Sequence, residues 1–433
     1  MTTLNSRFAL MNASASRKRL LLFAAILGIA GVFGIMAALG QAGMAMLAVI
    51  AAVGAALVLM HPKLGTMVVL FGMYLNAPVV AIHYHDMPSF LAVAFPLILI
   101  VPLNSVLLLR RGEVVFDKIF GCMILFLAVQ TFSALFATNI GAATDAILNY
   151  VVEGLMLYFL LVNVLRDEAD LRQAIWAVVI AGAIMGGIVL YQEVTKTFTN
   201  EYGGFGVRMA SFQTEAVGVW RDRTSGSIGD PNFFAQVLLV LVPLGLFRFW
   251  GERSRWLRIL ALGATLLIIA GVVLTFSRGA GLALMGVLAA IAYLWRIKPH
   301  YIALSLVGML VFIRIVAPDY ISRVQTVSDA SGLVDEDSVA RDKSILGRAT
   351  ENLAAIYMFL DHPLIGVGPD NYPVLYESYA EPIGLNVRFR ERPAHNLYLS
   401  IAAEMGVVGL VTFLSIVGLQ LQRLLQLRRY RER

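Results

Sequence analysis

The chain has 433 residues, of which 59% are hydrophobic and only 14% charged, with a formal net charge of +6. Soluble domains are roughly half apolar, so this composition excludes a soluble enzyme, and windows of about twenty apolar residues recur from end to end. The basic excess therefore orients helices in a bilayer and does not point to nucleic acid. The single cysteine, Cys122, lies inside an apolar run and supplies no disulfide to an exported loop.

At the start, Arg17-Lys18-Arg19 precedes about nineteen apolar residues, too long for a typical signal-peptide core, and reads as a first transmembrane helix. Hydropathy predicts twelve spans, near 20–38, 43–60, 64–82, 89–109, 119–137, 145–165, 172–194, 231–249, 257–276, 279–295, 300–317 and 396–421. Lys and Arg gather in alternate junctions: Arg17 to Arg19, Lys63, Arg110 to Lys118, Arg166 and Arg172, Arg248 to Arg258, Arg296 and Lys298, and the tail from Arg423. The short turns at 39–42, 82–88 and 138–144 hold none. The positive-inside rule then puts both termini in the cytoplasm. The same phase places outside Arg278, the 195–230 connection after span seven and the 318–395 connection before span twelve. The domain organisation expected is a membrane part over 1–317, an external helical region over 318–395, and a last helix with a basic tail over 396–433.

In the second external connection, Leu353, Ile356, Tyr357 and Leu360 follow helical spacing and Asp361-His362-Pro363 stops the helix. Gly366 to Tyr372 reads as a tight turn. These predict a small helical cap at the outer boundary, with the Asp-, Ser- and Gly-rich piece from Thr326 to Lys343 as its mobile part. The fold class is thus all-α and polytopic.

Three membrane helices start from the outside with one design. Span eight opens on Gly229-Asp230-Pro231-Asn232, span ten on Arg278-Gly279, and span twelve on Arg392-Pro393-Ala394-His395-Asn396. Free N–H groups and the positive dipole end at such starts favour anions, and guanidinium groups beside them bind phosphate oxygens. Arg208, Arg221 and Arg223 stand in the loop leading to span eight. Ordinary helix capping, and for Arg278 snorkelling to lipid headgroups, are the structural alternatives.

Of six histidines, His395 begins a membrane helix with Asn396 beside it and Tyr398, Ala402, Gly406 and Gly409 on one face, which suits proton chemistry. His83 and His85 lack the carboxylate or thiolate company a metal site needs. No phosphate-binding Gly-x-x-x-x-Gly-Lys-Ser/Thr loop, Gly-x-Ser-x-Gly or His-Glu-x-x-His motif occurs. Asp335-Glu336-Asp337 lies in the polar segment and reads as solvated loop.

Four blocks in order, Gly229-Asp230-Pro231-Asn232, Thr275-Phe276-Ser277-Arg278-Gly279, Asp361-His362-Pro363-Leu364-Ile365-Gly366-Val367-Gly368 and His395-Asn396-Leu397-Tyr398 through Glu404, Gly406 and Gly409, resemble the O-antigen ligase and polymerase superfamily. They cover the second half of the chain; the first half is similar in hydropathy alone. The resemblance implies a GT-C-like, metal- and nucleotide-independent inverting glycosyltransferase of the bacterial inner membrane, with its active site at the periplasmic face and no cofactor. Its partners would be an undecaprenyl-diphosphate-linked glycan donor and a lipid A–core acceptor. By the same resemblance His395 is the general base and Arg278 binds the diphosphate, together with Arg223 or Arg208. Asn232, Asn396, Tyr398, Arg221, Arg388 and Arg392 would support substrate binding. Glycan polymerisation and O-linked protein glycosylation would use the same donor. A transporter or flippase is the alternative of another class, against which stand the unlike halves and the clustering of distinctive residues at one face.

Overall fold

A computed structural model describes residues 61–109, 113–213, 220–316, 343–384 and 392–431. The predicted spans at 20–38 and 43–60 lie outside these residues, as do Arg388, Arg390 and nearly all of Thr326–Lys343. In chain order the helices are α1 (Pro62–Tyr74), α2 (Ala77–His85), α3 (Leu91–Leu107), α4 (Lys118–Ala134), α5 (Ile140–Val164) and α6 (Glu168–Thr195). A β-hairpin, β1 (Val207–Gln213) and β2 (Trp220–Gly226), leads to α7 (Pro231–Gly251), α8 (Arg255–Leu274), α9 (Arg278–Leu294) and α10 (Pro299–Val316). Then follow α11 (Lys343–Asp361), α12 (Tyr372–Ala380) and α13 (Leu397–Arg431).

Six of these helices are long and apolar enough to cross a membrane, and the bent pair α1–α2 makes up to seven. The shorter apolar helices α3, α4 and α9 accompany them. The protein is thus a mostly helical, polytopic membrane protein. The expected third span is bent by 58°, because Asn76 takes a left-handed conformation and Pro78 opens the second half. Asn76 Nδ2 donates to the Ser227 carbonyl at 2.7 Å, fixing the bend to the loop before α7. The expected fourth span is broken into short pieces around Pro96 and Pro102, which cannot complete the helical ladder.

The core is the α6–α7–α8 bundle with the start of α9, where Met185, Phe234, Leu238, Leu241, Ile268 and Phe276 are fully buried. Its helices approach closely because a Cβ at Gly186 would strike the Leu267 carbonyl. Small residues permit such contacts where no hydrophobic effect separates helix from lipid. A second cluster forms the cap, with Ala354, Ala355 and Met358 of α11 against Val367, Tyr372, Tyr376, Ala394 and Ala403. The helical stripe seen in the sequence, Ile356, Tyr357 and Leu360, faces outward.

Two features depart from the expected all-α pattern. The 195–230 connection carries the antiparallel hairpin, in which Arg208 lies opposite Thr224 and Met209 opposite Arg223. The last span is not one continuous helix. Gly406 has φ 63° and ψ −165°, which breaks α13 into 397–405 and 407–431. The Tyr398 and Phe413 rings meet at 6.3 Å, whereas fifteen residues of straight helix would separate their backbones by about 22 Å. The chain therefore turns sharply at Gly406.

The strap after α11 fills this break. Val407 N donates to the Pro363 carbonyl at 2.8 Å, Val367 N to Ala403 at 3.0 Å and Gly368 N to Glu404 at 2.9 Å. Ser133 Oγ of α4 bridges the Ile365 and Glu404 carbonyls at 2.8 Å each. Helix-ending carbonyls that water would otherwise solvate are satisfied by protein, as a low-dielectric setting requires. A Cβ at Gly406 would collide with the Leu364 carbonyl.

Gly406→Ala is therefore expected to destabilise the protein by about 1–3 kcal/mol. Gly418→Ala, in the same helix with open space around it, should be neutral or slightly stabilising. Thermal unfolding in detergent checks the contrast; equal melting of the two variants would contradict a strained, close-packed break.

Candidate functional site

Two helix starts are held together by one buried arginine. Asp230 caps α7, its Oδ1 accepting from Asn232 N at 2.7 Å and Phe233 N at 2.9 Å, with Pro231 at the first helical position. Ser277 caps α9, its Oγ accepting from Ala280 N at 3.4 Å. Asn232 Oδ1 accepts from both Ser277 Oγ and Arg223 Nη2 at 3.0 Å. Arg223 Nε donates to the Thr275 carbonyl at 3.0 Å. One asparagine oxygen and one guanidinium thus join the 229–232 and 275–278 motifs, which lie more than forty residues apart.

Arg223 is only 8% exposed. Burial pushes its guanidinium down to about 10; Asp230 opposes this, while the positive charges of Arg348 and Arg278 reinforce it. At neutral pH Arg223 stays charged. Arg348, exposed on the first turns of α11, was not singled out from the sequence, because it sits in a polar stretch with no motif around it. Only the placement of α11 in the fold brings it into the field of Arg223. Three guanidinium groups and two helix N-termini make an electropositive site suited to a phosphate or diphosphate.

The other residues are distributed around it. Arg208 is opposite Thr224 in register, so it projects from the hairpin face opposite to Arg223. Its guanidinium lies over the Phe198 ring at 4.3 Å, donates to the Asp222 carbonyl at 2.9 Å and stands 4.0 Å from Glu193. Arg223 is hydrogen-bonded to Asn232 at the start of α7 and to the Thr275 carbonyl at the end of α8. Arg221 is opposite Phe212 in the ladder, and Arg388 lies outside the described residues.

His395 is exposed, with a left-handed φ of 48°. Asn396 caps the following helix, its Oδ1 accepting from Tyr398 N at 3.2 Å and Leu399 N at 3.3 Å. Arg392 is half-buried, and Tyr398 is half-exposed against Phe413. Ala394, beside His395, is buried in the cap cluster with Ala354 and Ala355. The same helix that carries Arg348 thus also supports the His395 segment, about 10 Å further along its axis. Glu404 lies within the last helix, two residues before its break at Gly406. Its carboxylate receives the backbone N–H groups of Asp370 and Tyr372 and the Ser400 hydroxyl, tying the start of α12 to the last helix.

Asn232→Asp keeps both accepted hydrogen bonds but sets a full negative charge beside Arg223. It should retain the fold and weaken binding of pyrophosphate at least about tenfold. Calorimetric titration measures this, and unchanged affinity would make Arg223 purely structural.

Residues 263–414 match the family model described as O-antigen ligase. No curated protein and no solved structure gives a significant match to the chain. The matched segment holds Arg278, Arg348, His395 and Glu404; Arg223 and Asn232 precede it.

Proposed function

Starting from a chain that carries an O-antigen ligase family domain over residues 263–414, we propose that it transfers a glycan from undecaprenyl diphosphate to a lipid A–core sugar. The reaction takes place at the periplasmic face of the inner membrane. The observation that carries this reading is the Arg223–Asn232–Ser277 junction with Arg278 and Arg348 in its field. A buried guanidinium with two further arginines in its field, at two helix N-termini, favours an anionic ligand, and a lipid-linked diphosphate at the membrane boundary supplies one.

In this mechanism the donor diphosphate lies on Arg223 and Arg278, with Arg348 on its open side. The acceptor hydroxyl attacks the anomeric carbon as the bond from that carbon to the phosphate oxygen breaks. Negative charge grows on the leaving undecaprenyl diphosphate, and fixed guanidinium groups stabilise it. Such a term is worth a few kcal/mol per donor group. His395 takes the hydroxyl proton, and attack opposite the leaving group inverts the anomeric centre. The energy comes from the diphosphate linkage, so no nucleotide or metal is required. The positive-inside charge pattern supports periplasmic exposure of this end and cytoplasmic termini.

Arg278→Lys should lower transfer at least about tenfold although charge is kept, because an ammonium cannot reproduce a two-pronged contact to phosphate oxygens. A headgroup-anchoring arginine would tolerate the change. Transfer from lipid-linked donor to rough lipopolysaccharide, at matched membrane abundance, distinguishes the two.

His395→Ala should lower single-turnover transfer by about 10²–10⁴-fold while donor binding and folding persist. Near-normal transfer with normal donor binding would mean that another group accepts the proton. His362→Ala should affect stability and leave the chemical step intact.

A further inference from the structure

At the end of the bundle away from Arg223, two basic turns are pressed side by side. From the site, α7 descends 21 residues to Gly251, about 30 Å or one hydrocarbon thickness. The chain turns there into α8, returns to the site, and α9 descends again to Trp295. Trp295 stacks on Trp250 at 5.5 Å and 19° and on Phe247 at 4.9 Å and 27°. The stack locks the α7–α8 turn, with Arg253 and Arg255, to the α9–α10 turn, with Arg296 and Lys298.

All four cations are exposed, and none forms an ion pair with a described residue. The nearest carboxylate in sequence, Glu252, is buried and already engaged by Arg172, Arg248 at 3.2 Å and Trp176 Nε1 at 2.9 Å. Glu252 therefore fixes the turn but is turned away from the surface. Trp256 and Tyr293, 80% and 83% exposed, flank the four charges. Exposed Trp and Tyr favour the headgroup level of a bilayer, and clustered Lys and Arg there attract anionic lipid at about 1 kcal/mol each.

We propose that these two turns form a binding site for an anionic phospholipid. Its phosphate is held by Arg253, Arg255, Arg296 and Lys298, and its acyl chains lie along the exposed α8 and α9 surfaces beside Trp256 and Tyr293. The aromatic stack distinguishes this site from scattered basic residues, because it converts two separate turns into one four-cation surface. It lies a bilayer thickness from the diphosphate site and is independent of what that site does.

The test uses the full-length protein in neutral detergent. Phosphatidylglycerol should raise the thermal midpoint and remain bound in native mass spectrometry, whereas phosphatidylcholine and inorganic phosphate at the same concentration should not. The variant Arg253→Gln/Arg255→Gln/Arg296→Gln/Lys298→Gln should weaken phosphatidylglycerol binding at least about tenfold. Arg253→Lys/Arg255→Lys, which keeps the charges, should bind within about threefold of wild type. Should the quadruple variant misfold, Arg253→Gln/Arg255→Gln alone must show weaker binding. Equal stabilisation by phosphatidylcholine or by inorganic phosphate, or unchanged phosphatidylglycerol affinity in the glutamine variants, would overturn the proposal.

Discussion

The buried guanidinium of Arg223 is the constraint around which this end of the helix bundle is arranged. A charge at 8% exposure must be hydrogen-bonded or it shifts the equilibrium towards unfolding. Two of its donors go to the Thr275 carbonyl and Asn232 Oδ1, each at 3.0 Å. Those acceptors belong to the end of α8 and the start of α7, so satisfying one arginine fixes two membrane helices. Ser277 completes the arrangement by donating to the same Asn232 oxygen while capping α9. The hairpin is what delivers Arg223: its opposite face spends Arg208 on Glu193, Phe198 and the Asp222 carbonyl.

The break at Gly406 solves a related problem on the cap side. A helix interrupted near a membrane boundary leaves carbonyls that need donors. The 363–368 strap supplies N–H groups to Ala403 and Glu404 and accepts from Val407. Glu404 adds its carboxylate to the N–H groups at the start of α12, where an acid is favoured by the helix dipole. Together these hold Ala394, and with it the His395 segment, against α11. Arg348 and the His395 support thus share one rigid helix, which couples the position of a candidate base to that of a candidate anion site.

Much of this was legible in the sequence, for local reasons. Asp230-Pro231, Ser277-Arg278 and Asn396 announce helix starts because capping chemistry is short-range, and each caps the helix expected. The stop at Asp361-His362-Pro363 and the helical cap follow in the same way. What was not legible depends on distant partners. The hairpin has a modest strand signal, and the choice between Arg208 and Arg223 rests on a cross-strand register no local pattern gives. Gly406 looked like one more small residue on a helix face; only the Leu364 carbonyl packed against it explains why the chain turns there. Arg348 has no motif, and its place in the field of Arg223 is a consequence of how α11 lies.

The two ends of the α7–α8–α9 unit use positive charge in opposite ways. At the Arg223 end, the arginine is buried, shared between helix starts, and held in place before any ligand arrives. That is the arrangement electrostatic stabilisation needs, since groups that do not reorganise favour a growing negative charge most. At the other end Arg253, Arg255, Arg296 and Lys298 are exposed, and the fixing is done by the aromatic stack and by buried Glu252. Exposed, solvated cations suit the proposed lipid contact, which requires no single fixed geometry. They would be poor catalysts for the same reason. The contrast argues that basic residues in this chain are not interchangeable contributors to topology: their burial and their hydrogen bonds separate the candidate chemical site from the proposed lipid site.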